Sequence, residues 1–377
     1  MKVLVLGCGE MGEVAVEDLY YFGKPDEIIV ATRSVEKVKR LMPKLSGRKA
    51  KVSAIEIDVN NAEELEALMK GCDVAVNCIG PNYKYEVMIA QTAIKARINL
   101  VDINDDYETT FKMLNLDAMA KEAGITIILG LGASPGINNI FVRAAADQLD
   151  EIEEIHTAWV MSGADPGGLA LSYHLIYSLS GKALTYQDGK LIEVQSFVDG
   201  KERIEFPEPV GEKDVFHVGH PEPITLSRSF KKARIINDKA TFYPPHINEL
   251  IVSLGKKVRE AEGPIKKGNA YIDAMDFAAS HFHKKCKNLK GIPKEGALRV
   301  AVKGKKNQKT KKIIYSSSGL IAKGTGISAS IGAQMLAQGK IKRTGVQPPE
   351  ECVDWRSFLK AILNRRIGRL NIKEEEE

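Results

Sequence analysis

The sequence predicts an α/β protein, with a doubly wound, mainly parallel sheet followed by an α+β domain. Three observations carry that expectation. Short apolar runs alternate with helix-length amphipathic stretches through the first third of the chain. A glycine turn joins the first run to the first helix. Further on, the pattern changes to short alternating runs separated by turn signals, which suits an antiparallel sheet with a few helices.

Val3–Leu6 is almost uninterruptedly apolar, as in a strand buried on both faces. Gly7-Cys8-Gly9-Glu10-Met11-Gly12 follows at once, and then Val14, Ala15, Val16, Leu19 and Tyr20 at helical spacing. Glu27–Thr32 supplies the next strand. Strand, glycine turn, helix and strand within one short stretch form a Rossmann unit. Gly7 permits the tight turn, Gly9 lets a pyrophosphate approach the backbone, and Gly12 lets helix meet strand. The helix N-terminus offers N–H groups to phosphate, so Glu10 and Met11 join the cofactor-binding set.

An NAD-binding unit places a carboxylate on the ribose about twenty residues past the glycines. Here the second strand ends Thr32-Arg33-Ser34, with no acid. Arg33 stands where a guanidinium forks onto a 2′-phosphate, with Thr32, Ser34 and Lys37 beside it, so NADP is expected and NAD is the alternative. Val52–Ile57, Asp73–Cys78, Asn99–Asp102 and Ile125–Leu129 continue the strands. Ala62–Met69, Tyr85–Ala96 and Phe111–Ala123 read as the helices between them. Six strands result. Asp58 and Val59 fall beside the adenine, and Asn77 to Pro81, with Cys78, Gly80 and Pro81 on the cofactor, border the nicotinamide ribose, at the carboxyl ends of the strands.

Beyond residue 150, Ile155–Met161 and Ile192–Phe197 alternate, and Leu169–Ser180 is helical. His217-Val218-Gly219-His220-Pro221-Glu222-Pro223 reads as a rigid polar loop, with Arg228 and His246 downstream. His283 and Cys286 share a helix face without the partners that zinc requires, so no metal is expected. The net charge is +5, but residues 251–350 hold 21 Lys and Arg against 6 Asp and Glu. The densest part, Lys303–Lys312, lies between two apolar runs and has no aromatic residue on which a base could stack. It reads as a hairpin with lysines on its loop and exposed edge, not as a nucleic-acid face. Glu374–Glu377 reads as a frayed tail.

Composition narrows the classes. A chain of 377 residues, 44% apolar and 27% charged, suits two globular domains and excludes wholesale disorder. Five cysteines without a CxxC pair suit free thiols in a reducing compartment. No stretch is apolar for long enough to span a membrane, and MKVLVLGCGEMG runs into glycines where a leader would have a cleavage site. A cytoplasmic protein is expected.

The run Gly130-Leu131-Gly132-Ala133-Ser134-Pro135-Gly136-Ile137-Asn138-Asn139, after VDINDDYE, resembles the saccharopine dehydrogenase-like family. That family includes saccharopine reductases, carboxynorspermidine synthases and lysine 6-dehydrogenases. Gly324-Thr325-Gly326-Ile327-Ser328-Ala329 and Gly345-Val346-Gln347-Pro348-Pro349-Glu350-Glu351-Cys352 resemble its C-terminal part. The resemblance implies an NAD(P)-linked oxidoreductase acting on a C–N bond of an amino acid such as saccharopine, lysine or a polyamine precursor. It also implies a cleft between the Rossmann domain and an inserted α+β substrate and dimerisation domain. The domains would be 1–132, 133–323 and a segment, 324–377, returning to the first. Ser134 stands where several relatives carry an acid, and Arg33 matches the NADP-using reductases.

Hydride chemistry of this kind needs a held imine carbon and a frame for carboxylates more than a powerful acid or base. Asp102, Tyr107 and His220 are the candidate catalytic residues, with Asp105 nearby. Asn138, Asn139, Arg228 and His246 are the candidate substrate-binding residues. A homodimer through the second domain's sheet is expected. Two other classes fit the letters: a dinucleotide-binding sensor or scaffold without turnover, and a C=C reductase like the trans-acting enoyl reductases.

Overall fold

The structure, a computed structural model, describes residues 1–267 and 270–376. It divides into two compact units, residues 1–140 with 322–366 and residues 141–321 with 367–377.

The first unit begins β1 (Lys2–Leu6), α1 (Glu10–Asp18), β2 (Glu27–Thr32), α2 (Val35–Leu41), β3 (Lys51–Glu56) and α3 (Ala62–Met69). It continues with β4 (Val74–Asn77), α4 (Asn82–Ala96), β5 (Asn99–Asp102), α5 (Tyr107–Leu114), α6 (Asp117–Ala123), β6 (Thr126–Ile128) and α7 (Asn138–Ala146), whose end enters the second unit. β1 and β4 are buried along their length, as their apolar runs require, because helices cover both faces of a parallel sheet. The stretch expected as one helix over Phe111–Ala123 is two, broken at Asn115 and Leu116.

The second unit contains β7 (Glu151–Ser162), α8 (Leu169–Leu179), β8 (Lys182–Gln187), β9 (Lys190–Gln195), β10 (Glu202–Glu205), β11 (Glu212–His217), α9 (Glu222–Ser229) and β12 (Ile235–Tyr243). α10 (His246–Arg259), a small hairpin of β13 (Ile265–Lys267) and β14 (Ala270–Ile272), α11 (Ala274–Lys287), β15 (Gly296–Lys306) and β16 (Lys309–Gly319) follow. α12 (Ile321–Ala337), β17 (Gly345–Gln347), α13 (Pro349–Cys352) and α14 (Trp355–Arg365) rejoin the first unit. β18 (Arg369–Glu376) then belongs to the second, so the last residues do not return to the first domain with the rest of 324–377.

The first sheet runs β17-β6-β5-β4-β1-β2-β3, all parallel. Its order reverses between β1 and β4, the doubly wound arrangement, and β17 adds a seventh strand to the six expected. The second sheet runs β10-β11-β12-β7-β15-β16-β18, with β8 and β9 attached through β12. It is antiparallel except where β12 meets β7. β7 shows the two faces by alternation. Trp159 and Met161 pack with Leu175, Ile251 and Phe282 of the helices, while Ala158 and Val160 pack with Ile204 and Val215.

Two expectations about charged segments are corrected. The lysine-rich stretch forms the expected hairpin, but its lysines lie on the strands and not in the loop, because β15 and β16 leave only Asn307 and Gln308, both with positive φ, as the turn. Glu374–Glu376 lies in β18, which covers the β16 edge and sets Glu376 opposite Lys311 and Glu375 opposite Lys312. Glu377 lies outside the described residues. Among the described residues, no helix is long and apolar enough to cross a membrane.

Candidate active site

The glycine turn closes the switch point of the first sheet. Gly7 has φ +89°, donates its N–H to the Ala31 carbonyl at 2.8 Å, and has no room for a side chain beside the Cys78 carbonyl. A Cβ on Gly12 would lie 2.1 Å from the Gly7 carbonyl oxygen, so helix and strand meet through hydrogen alone there. Gly9 faces open space: a Cβ there would meet nothing within 4 Å. It is also the N-cap of α1, and no side chain caps that end. The turn is thus tight at both glycines that must be tight and open at the one a pyrophosphate approaches. It fits a dinucleotide held over the helix N-terminus by Gly7, Gly9, Glu10, Met11 and Gly12.

Thr32 is buried at the end of β2, and its hydroxyl accepts from the Ser34 N–H at 3.2 Å. Arg33 and Ser34 are exposed, and Arg33 makes no ion pair among the described residues. Asp58 turns back to accept from both nitrogens of Asn60, and Val59 enters the core. Cys78, Gly80 and Pro81 follow β4, each half-buried. Burial pushes the Cys8 thiol up to about 11 and the Cys78 thiol to about 12, so both stay protonated at neutral pH.

Beside them lies a group of carboxyls held by amides. Asp102, fully buried at the end of β5, accepts at Oδ1 from the N–H of Asn104 at 2.9 Å and of Gly130 at 2.7 Å. Glu86 on α4 accepts at Oε2 from Asn77 at 2.8 Å. Asp105 accepts from Asn82 at 2.9 Å, and Asp106 from the Tyr83 N–H at 2.8 Å. Asn104 binds the Asp106 N–H and Thr110, winding the loop around itself. Tyr107 is half-buried at the start of α5, and its hydroxyl points to Glu108 at 3.3 Å. Of this group, sequence reasoning singled out Asp102, Asp105 and Tyr107. It also placed Asn77 at the strand end, but missed Glu86 and Asn104, for which nothing but strand order gives a signal.

Asn138 and Asn139, expected on substrate, are fully buried. Asn138 donates to Ser134 at 3.0 Å, and Asn139 to Glu350 of α13 at 2.8 Å. The glycine-rich turn and the PPEE segment thus meet in one buried contact. Gly130, at φ +71°, would drive a Cβ into the Asn104 carbonyl and Pro135, which packs this turn against the Asp102 loop.

In the second unit the polar stretch at 217–223 is not an exposed loop: Glu222 opens α9, and both His220 and Glu222 are buried. His220 Nδ1 lies 2.7 Å from Glu222 Oε2 and 3.9 Å from Asp238 Oδ2. Asp238 also accepts from Thr157 at 2.6 Å and from the Trp159 ring N–H at 3.0 Å. Burial and the neighbouring Glu222 raise the Asp238 carboxyl well above the ordinary range. His174 packs edge-on to His220. Arg228 and His246 are exposed on α9 and α10, and neither has a hydrogen-bond or ion-pair partner among the described residues.

A switch-point glycine cradle on a doubly wound sheet, with buried polar groups at the strand ends beside it, defines a dinucleotide-binding protein. Residues 3–128 match the saccharopine dehydrogenase NADP binding domain, and residues 132–368 match the saccharopine dehydrogenase C-terminal domain. The chain belongs to the saccharopine dehydrogenase family and is an NAD(P)-dependent oxidoreductase of that type. It is 22% identical to carboxyaminopropylagmatine dehydrogenase of Synechocystis, over 93% of this chain and 92% of that one. Carboxynorspermidine synthase of Vibrio cholerae is 25% identical over 62% of this chain and 61% of its own. The NADP-linked, L-glutamate-forming saccharopine dehydrogenase of Pyricularia oryzae is 27% identical over 51% and 43%. The solved apo saccharopine dehydrogenase (L-Glu forming) of Saccharomyces cerevisiae shares the fold over 99% of both chains, with TM-score 0.71 and 15% identity.

Proposed function

We propose that the protein uses NADP(H) to interconvert an imine and a secondary amine, joining or parting a carboxyl-bearing carbonyl fragment and an amino acid or polyamine-type amine. The observation that carries this reading is an open glycine cradle whose second strand ends in an unpaired Arg33 instead of a carboxylate, on a chain matched by the family over nearly its whole length. The relatives' names support the C–N class and favour neither a sensor nor a C=C reductase.

NADPH, when bound, supplies hydride to the imine carbon. The chain's own residues do the rest. Gly7, Gly9 and Gly12 admit the pyrophosphate, and Arg33, Thr32 and Ser34 receive the 2′-phosphate. His220 is the group we assign to proton exchange at nitrogen, since Glu222 at Nδ1 fixes its tautomer. Asp102 supports the site through backbone N–H groups and does not touch substrate.

The test follows NADPH oxidation with lysine, ornithine, agmatine or diamines, each paired with aspartate semialdehyde or 2-aminoadipate semialdehyde. Saccharopine and lysine are run in reverse. Turnover with one pair supports the reading. Silence in every combination, in protein shown to bind NADPH, overturns it.

A further inference from the structure

We infer that Glu86 and Asp102 share one proton, and that Glu86 is thereby a positioning residue for the 103–106 loop at the carboxyl end of the first sheet. The loop's place in catalysis rests on the reading above; the shared proton does not.

Glu86 is 1% exposed and Asp102 0%. One oxygen of each is fixed: Glu86 Oε2 by Asn77, and Asp102 Oδ1 by two backbone N–H groups. The other two oxygens, Glu86 Oε1 and Asp102 Oδ2, are buried, and no N–H or O–H among the described residues reaches them. The two carboxyls face one another closely enough to hydrogen-bond. A carboxylate only accepts, so that contact exists only if one of them carries a proton.

The surroundings supply no cation. Asn77 and Cys78 face the pair from the end of β4, Asn104, Asp105 and Asp106 from the loop after β5, and the Gly130 N–H from the end of β6. The charged groups among these are acids, and no Lys, Arg or His pairs with Glu86 or Asp102 among the described residues. Two buried like charges without a counterion resolve by neutralising one. Burial holds both groups above the ordinary range, and the contact between them raises Glu86 further while it lowers Asp102, which puts the proton on Glu86.

So held, Glu86 donates to Asp102, which keeps its charge and its two N–H donors. Those donors fix Asn104 and Gly130, and Asn104 fixes Asp106. Asp105 and Asp106 bind Asn82 and Tyr83 in the first turn of α4, the helix that carries Glu86. The ring of contacts closes on itself.

Infrared difference spectra between weakly acidic and alkaline solution, on full-length protein with and without isotope-labelled glutamate, test the shared proton. The expected result is a protonated-carboxyl band at neutral pH that shifts with glutamate labelling and is lost in Glu86→Gln. No such band, or one unchanged in Glu86→Gln, overturns the inference. Positioning is read from kinetics once a substrate pair is known. In the parent, kcat falls on the alkaline side as the shared proton leaves. Glu86→Ala lowers kcat and spares the KM for NADPH, while Glu86→Gln, which keeps a donor toward Asp102, recovers most of the loss and removes that alkaline fall. Equal loss in both variants, or an unchanged alkaline limb, overturns the positioning role.

Discussion

In the function proposed here, Arg33 is the single side chain that chooses between the two cofactors. A charge-assisted hydrogen bond contributes about 1.5–3 kcal/mol. Arg33→Ala is therefore expected to weaken NADPH binding roughly tenfold to a hundredfold and to leave NADH nearly unchanged, in fluorescence titrations of both. Equal losses would remove Arg33 from the 2′-phosphate. Gly12→Ala is the harsher change, since its Cβ would fall 2.1 Å from the Gly7 carbonyl oxygen. It is expected to abolish binding of either cofactor while the second unit stays folded, as limited proteolysis would report. The Glu86–Asp102 pair gives stability a pH dependence of definite sign. Burial raises both carboxyls in the folded state, Asp102 to about 7, so their contribution is fully present below the ordinary carboxylate range. It is lost as pH rises through the folded values. Thermal unfolding followed from mildly acidic to alkaline pH should show a fall that moves to lower pH in Glu86→Gln.

At the scale of elements, α1, α12 and α14 are joined by one buried polar knot. Asp18 accepts from Ser330 at 2.7 Å, from Gln334 at 3.2 Å and from Arg365 Nε at 2.6 Å, and the Asp18 and Arg365 side chains are 3% and 6% exposed. Removing one partner of such a pair strands the other charge, at a cost of about 3–5 kcal/mol. Arg365→Ala should lower urea stability by that order, and a loss below about 1 kcal/mol would mean that water replaces the guanidinium. β18 shows why the tail was misread. Its acidic run has no apolar alternation, and it becomes a strand because Lys309, Lys311 and Lys312 of β16 stand beside it. Glu86 was illegible for a related reason. On α4 it looks like one more polar helix residue, and only strand order brings it to Asp102. β1, β2, β4 and the glycine turn were legible because a two-face-buried parallel strand leaves an apolar run that few other structures produce.

For the whole molecule, the densest part of the uneven charge is paired within the chain. Lys305 and Lys306 pair with Glu151, Glu153 and Asp150, while Lys309, Lys311 and Lys312 pair with Glu374–Glu376. These five lysines of the 21 Lys and Arg in residues 251–350 thus meet acids drawn from outside that window. Changing Lys305, Lys306, Lys309 and Lys311 together to Gln should leave NADPH affinity unchanged, since exposed pairs contribute little singly. Mobility-shift assays of the parent with duplex DNA should show no salt-sensitive retention, and tight retention lost in the variant would restore the basic stretch as a binding face. The two motifs behind the family resemblance were each visible in the sequence. Their contact, through Asn139 and Glu350, was not, because spacing along the chain says nothing about what meets across more than two hundred residues.

That long-range contact bears on how the protein is made. As the chain emerges from the ribosome, the nucleotide cradle appears first, yet Asn139 waits for Glu350 and β6 waits for β17 until the intervening domain has been synthesised. β16 in turn keeps an open edge until β18 follows. Neither unit can complete its sheet while the other's residues are still being added. A nascent chain stalled before Gly345 would hold the glycine turn and Arg33 but lack the strand and the carboxylate that close the first unit, leaving late intermediates as natural clients of chaperones.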